Sequence, residues 1–136
     1  MLKIWQVGAL TLLGVALWIL VTVNIRLMPN SFTDPLLGAI MFLLALPAGW
    51  LSVWLTKRVG GLSWDQLLPG VSVVAAVAMM MDGAALRWFS TVYGVNDTTV
   101  RLGAAWLLWG YGVALGIAVV MAARAKRNMA VALDRV

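Results

Sequence analysis

Four long runs of apolar residues dominate this sequence and restrict the folds open to it. The runs cover about residues 4–27, 35–57, 66–89 and 100–124. Each is long enough to cross the hydrocarbon core of a bilayer, which takes a helix of about 20 residues. The chain has 136 residues, and 63% of them are hydrophobic. We therefore predict an all-α, integral membrane protein whose single domain, residues 1–136, is a four-helix transmembrane bundle with a basic tail at residues 125–136.

Residues that break or start helices separate the apolar runs. Pro29 follows the first run, and the pair Asp34-Pro35 opens the second, as a capping side chain followed by a proline at the first helical position. Gly60 and Gly61 follow the second run. No linker between the runs is long enough to divide the chain into separate domains.

The basic residues predict how the bundle is oriented. Seven of the ten fall on one side of the predicted membrane and three on the other: Lys3, Lys57, Arg58, Arg124, Lys126, Arg127 and Arg135 against Arg26, Arg87 and Arg101. Because basic loops stay in the cytoplasm, we predict that the N and C termini are both cytoplasmic. The same distribution accounts for the net charge of +5 without a nucleic-acid partner.

Several chemistries are disfavoured by composition. The chain has no cysteine and no histidine, which removes the usual ligands of zinc and haem and the commonest general base. It also has no glycine-rich phosphate loop and no motif of paired carboxylates of the kind that acid–base catalysis uses. We expect no cofactor, no metal and no enzymatic activity. The expected partners are membrane lipid and either a second copy of the chain or a larger membrane-protein complex.

Asp82 is the one acidic residue within a predicted crossing. An acidic side chain there costs about 3 kcal/mol on insertion scales, so a partner must offset the cost. Arg26 ends the first crossing and can extend down toward Asp82, with Asn24 just below it. We predict an outer-leaflet polar cluster of Asn24, Arg26 and Asp82, with Arg87 and Arg101 as further members. This cluster is either a structural pair between crossings or a ligand or proton site.

Proline, tryptophan and glycine supply the remaining candidates. Pro47 removes a backbone hydrogen bond within the second crossing and predicts a kink there, either structural or part of a hinge. Gly112 and Gly116 form a small-xxx-small pattern for close helix packing, inside the bundle or in a dimer. Five tryptophans lie away from the predicted interfaces, Trp18 among them, and the other four are candidates either to line a cavity or to belong to the core: Trp50, Trp54, Trp106 and Trp109.

The order of these elements resembles a family of small bacterial four-helix membrane proteins, a domain of unknown function. The resemblance covers nearly the whole chain and rests on short motifs: Asn24-Ile25-Arg26, Leu46-Pro47, Met81-Asp82 and residues 103–112. It implies a multi-pass fold in the bacterial cell (inner) membrane and no particular activity.

Two functions fit this sequence better than an enzyme. The first is an accessory or assembly subunit of a membrane complex, because the chain offers packing surfaces and little chemistry. The alternative is a small-solute transporter or ligand-binding membrane protein that uses the Asp82 and Arg26 cluster.

Overall fold

Helices make up almost all of the chain in the computed structural model, which describes residues 1–133. The elements are α1 (Ile4–Leu27), α2 (Asn30–Thr33), α3 (Pro35–Gly60), α4 (Leu67–Trp88), a 3₁₀ helix (Ser90–Val92) and α5 (Asp97–Leu133). No strand occurs in these residues. The helices α1, α3, α4 and α5 are each long and apolar enough to cross a membrane. The predicted all-α fold is confirmed, and the four long helices fit the predicted bundle.

The helix ends differ from the predicted ones mainly at basic residues. The helix α3 continues to Gly60, and α5 continues through Arg124 to Leu133. Much of the predicted tail is therefore helical, because a charge marks where a helix leaves the hydrocarbon and does not end its hydrogen bonding. Residues 134–136, including Arg135, lie outside the described residues.

Capping residues set several of the helix ends. The Asp34 carboxylate accepts two backbone N–H groups of α3, each at 2.9 Å, as its position before Pro35 predicts. Gly61 ends α3 with a φ of 53°, a left-handed conformation that glycine adopts without steric cost. The Asn96 side chain accepts the backbone N–H of Thr98 at 2.8 Å and so caps the start of α5.

Glycines bring the crossing helices together in two tight pairs. A Cβ at Gly14 of α1 would lie 3.0 Å from the carbonyl oxygen of Val74 in α4. A Cβ at Gly49 of α3 would lie 2.8 Å from Cγ1 of Val113 in α5. Because only glycine permits such approaches, α1 packs closely on α4, and α3 packs closely on α5.

Two tryptophans reinforce the pair of α3 and α5. The indole N–H groups of Trp106 and Trp109 donate to the carbonyls of Met41 and Phe42, at 2.8 and 2.9 Å. These carbonyls lie one to two turns before Pro47. The helix α3 continues through Pro47 without interruption. The kink predicted at Pro47 stays a prediction.

The two ends of the bundle differ in character. At one end the Gln6 amide donates to the Gly60 carbonyl at 2.8 Å, and the Gln66 amide donates to the Met1 carbonyl at 2.7 Å. Here α1 and α4 begin and α3 ends, and Lys57 and Arg58 lie in the last turn of α3. We call this the basic end. The opposite end, the loop end, carries α2 and the 3₁₀ helix.

Candidate functional site

Both tyrosines of the chain bind the carboxylate of Asp82. The Tyr93 hydroxyl donates to Oδ1, and the Tyr111 hydroxyl donates to Oδ2. The Trp18 indole N–H in turn donates to the Tyr93 hydroxyl at 3.2 Å. Asp82 is only 5% exposed and Tyr93 only 1%. We call these four residues, Trp18, Asp82, Tyr93 and Tyr111, the Asp82 cluster.

The Asp82 cluster joins three crossing helices and a connection. Trp18 comes from α1, Asp82 from α4 and Tyr111 from α5, whereas Tyr93 follows the 3₁₀ helix between α4 and α5. The Arg26 guanidinium of α1 donates to the carbonyl of Thr91 and so holds the same connection. Apolar residues pack around Tyr93 at the loop end of the bundle: Ile25, Phe32, Ala85 and Leu107.

The surroundings of Tyr93 keep its hydroxyl protonated. Burial is the main cause, with the hydrogen bond to Asp82 second, and together they raise the pKa of Tyr93 to about 12. At neutral pH the phenol is therefore a hydrogen-bond donor to the carboxylate. A buried acidic side chain obtains two donors in this way without the burial of a second charge.

The structure gives Asp82 tyrosine partners where the sequence predicted arginines. Arg26 is bonded to the Thr91 carbonyl, and Arg87 and Arg101 are exposed. The Asn24 Oδ1 is buried and has no hydrogen-bond partner within residues 1–133. The predicted polar cluster of Asn24, the arginines and Asp82 is therefore not formed around the carboxylate in the described part of the chain. Phenols replace guanidinium groups there because they carry a donor on a largely apolar side chain.

A cavity of about 310 Å³ lies between the pair of α1 and α4 and the pair of α3 and α5. We call it the central cavity. Its back wall consists of α4 and α5, with Val74, Ala78 and Leu107 among the buried residues that line it. Trp18 and Tyr111 of the Asp82 cluster also line the cavity, whereas Asp82 does not. The lining is almost entirely apolar, and its hydroxyl groups are those of Ser52 and Tyr111.

The cavity opens sideways between α1 and α3. Its exposed lining residues are Leu20 of α1, which is 65% exposed, and Ala48 and Leu51 of α3. At a rise of 1.5 Å per residue, these residues lie roughly 13–25 Å from the basic end. That depth falls within a hydrocarbon core of about 30 Å. In a membrane the opening therefore faces acyl chains.

Only some of the predicted cavity and packing residues have the predicted surroundings. Of the four tryptophans, Trp106 lines the central cavity, whereas Trp50, Trp54 and Trp109 are 51%, 40% and 46% exposed on the outer surface. These three belong to faces that a membrane would cover with lipid.

Gly112 and Gly116 are not packing positions within the bundle. A Cβ at either glycine would have no neighbour within 4 Å, and both glycines are exposed. Close approaches between the long helices occur instead at Gly14, Gly49 and Gly103. The other interpretation of the small-xxx-small pattern, contact with a helix of a second chain, stays a prediction.

Two chemical properties define this site. Each oxygen of the Asp82 carboxylate accepts one tyrosine hydroxyl, and no group of three metal-ligating side chains occurs within residues 1–133. The adjoining cavity offers apolar surface and aromatic ring faces. The arrangement can hold an apolar molecule, and the Asp82 cluster fixes the wall against which that molecule would rest.

Searches of protein-family models, curated proteins and solved structures found no match to this chain. The resemblance to small bacterial four-helix membrane proteins therefore stays a prediction.

Proposed function

We propose that this protein binds a lipophilic molecule, taken from the bilayer, in the cavity between its helix pairs. The observation that carries the proposal is the lateral opening of an apolar cavity at hydrocarbon depth. A volume of about 310 Å³ is at the lower end of the range of about 300–1,000 Å³ typical of ligand pockets. The proposal is a binding or carrier function, not an enzymatic one.

The lining favours an apolar ligand over a polar solute. The Tyr111 hydroxyl and the Trp18 N–H are both committed to the Asp82 cluster. Apart from the Ser52 hydroxyl, a polar solute would have to replace those hydrogen bonds or leave its own groups unsatisfied, whereas an acyl chain or aromatic ring needs neither. This refines the predicted alternative, in which the Asp82 and Arg26 cluster contacts the ligand directly.

Cavity-filling substitutions test the proposal. Ala78, 4% exposed on α4, lines the cavity, whereas Ala16 of α1 is exposed on the outside. Native mass spectrometry of protein purified in mild detergent measures the bound lipophilic molecules. We expect wild type and the control Ala16→Leu to retain a lipophile at one site per chain, and Ala78→Leu to lose it.

If Ala78→Leu has normal elution and helicity and still retains the lipophile at the wild-type level, this result would contradict binding in this cavity. Absence of any tightly bound lipophile from the wild-type protein would also contradict it. Because Ala78→Leu adds only apolar volume, its effect is separable from a loss of hydrogen bonding.

A second proposal is that the chain is an accessory or assembly subunit of a membrane complex. Gly112 and Gly116, with open space above them, support it, since small residues allow another helix to approach α5 closely. A stoichiometric partner or a second copy, lost in Gly112→Leu and Gly116→Leu but retained in Gly83→Leu on α4, would favour this function.

We further propose that the protein lies in a bacterial inner membrane with its basic end in the cytoplasm. The chain has no native cysteine, so single cysteines report orientation directly. Ser31→Cys lies at the loop end, and Ser63→Cys lies at the basic end. In intact cells an impermeant thiol reagent should label the first and not the second, and the reverse pattern would contradict the orientation.

A further inference from the structure

The last turns of α5 extend beyond the membrane at the basic end. The helix has 37 residues and is about 55 Å long, whereas the hydrocarbon core is about 30 Å thick. Arg124, Lys126 and Arg127 mark the region where it leaves the apolar layer. Several residues of this helix therefore lie at the membrane surface.

A groove of about 460 Å³ separates these turns from Trp64, in the connection between α3 and α4. It is lined by one aromatic ring, two polar side chains and four apolar residues: Trp64, Met121, Arg124, Ala125, Asn128, Met129 and Ala132. The four apolar residues recur at helical spacing and form one face of α5. Trp64 and Met129 are 40% and 51% exposed, so the groove is open to the surroundings.

Positive charge surrounds the groove. Arg124 and Asn128 are one helical turn apart on its edge, and Lys57 Nζ lies 4.5 Å from the centre of the Trp64 ring. Within residues 1–133, six basic side chains and one acidic side chain, Asp65, lie at this end: the six are Lys3, Lys57, Arg58, Arg124, Lys126 and Arg127. The groove is therefore complementary to an anion.

We propose that this groove binds an anionic phospholipid, with the phosphate at Arg124 and Asn128. The acyl chains would lie along Met121, on the membrane side of Arg124, whose apolar surface a free phosphate ion would leave exposed. A groove with an apolar floor and a basic edge at the membrane surface suits a molecule that has both parts. This site is separate from the central cavity and does not depend on the function proposed for it.

Lipid binding to purified protein tests the site. Native mass spectrometry in mild detergent would measure retention of phosphatidylglycerol and of phosphatidylcholine by wild type, Arg124→Gln and Arg127→Gln. The matched control, Arg127→Gln, removes the same charge from the same end at a residue that does not line the groove. We expect phosphatidylglycerol to be preferred and Arg124→Gln to weaken its binding about fivefold. Arg127→Gln should change binding less than twofold.

Further measurements distinguish bound phospholipid from other possible occupants of the groove. In protein of normal helicity, Met121→Gln should weaken phosphatidylglycerol binding as well, because it removes apolar surface from the groove without changing charge. Equal losses in Arg124→Gln and Arg127→Gln would show diffuse attraction and overturn the proposal. Displacement of the lipid by millimolar inorganic phosphate would assign the site to a free anion, and a protein found in its place would assign it to a partner chain. Either result would overturn it.

Discussion

Removal of one hydroxyl group tests whether the Asp82 cluster holds the loop end of the bundle together. In Tyr93→Phe, the Asp82 Oδ1 loses its donor and the Trp18 N–H loses its acceptor. The apolar contacts of the Tyr93 ring remain, so the change reports on hydrogen bonding.

The expected loss follows from the number of bonds. Hydrogen bonds within membrane proteins contribute about 0.6 kcal/mol on average and up to about 1.7 kcal/mol. Two bonds give a loss of about 1–3 kcal/mol in the free energy of unfolding for Tyr93→Phe. The matched control is Tyr111→Phe, which removes the single bond to Oδ2 and should cost about half as much.

The assay is equilibrium unfolding in mixed micelles, with increasing SDS and circular dichroism as the readout. A double-mutant cycle with Asp82→Leu isolates the bond to the carboxylate. In the Asp82→Leu background, Tyr93→Phe should cost less than in wild type, because only the Trp18 bond remains to be lost. Strict additivity, or a Tyr93→Phe loss no larger than that of Tyr111→Phe, would refute the proposed arrangement.

Two further predictions concern helix packing and pH. Gly14→Ala should destabilise the protein by about 1–3 kcal/mol in the same assay, since its Cβ would press on the backbone of α4, whereas Gly83→Ala, with no neighbour within 4 Å, should not. In Tyr111→Phe, Tyr93 is the sole tyrosine, and its absorbance at 295 nm should report ionisation near pH 12 in the folded protein against about 10 after unfolding. Because the folded pKa is the higher one, the stabilisation from Tyr93 is complete below pH 10 and is lost as the pH rises from 10 to 12. A folded-state midpoint near 10 would contradict the burial of this hydroxyl.

The positions of the four long helices were predictable because the bilayer imposes a length and a composition on each crossing. The two ends of α3 were predictable because they depend on local residues. The structure shows the cap at Asp34-Pro35 and the left-handed turn at Gly60-Gly61. The end of α5 was less predictable, since Arg124 is as compatible with a helix as with its termination.

The partners of Asp82 could not be predicted from the sequence in this way, since they depend on how the helices pack. Tyr93 and Tyr111 are 11 and 29 residues from Asp82 and lie on different elements. A signal was nevertheless present, because a tyrosine hydroxyl within an apolar environment needs a partner. Charge complementarity favoured Arg26 as the partner, whereas neutral donors satisfy a buried carboxylate with less desolvation.

The Asp82 cluster and the central cavity have a physical connection that bears on function. Trp18 and Tyr111 present their rings to the cavity and their polar atoms to the cluster. The cluster therefore fixes two aromatic walls from α1 and α5, helices that belong to different tight pairs. A change at Asp82 should alter ligand retention through the positions of these rings, even though Asp82 does not line the cavity. Under the proposed function, Asp82 would therefore contribute to the binding of an apolar molecule without contacting it.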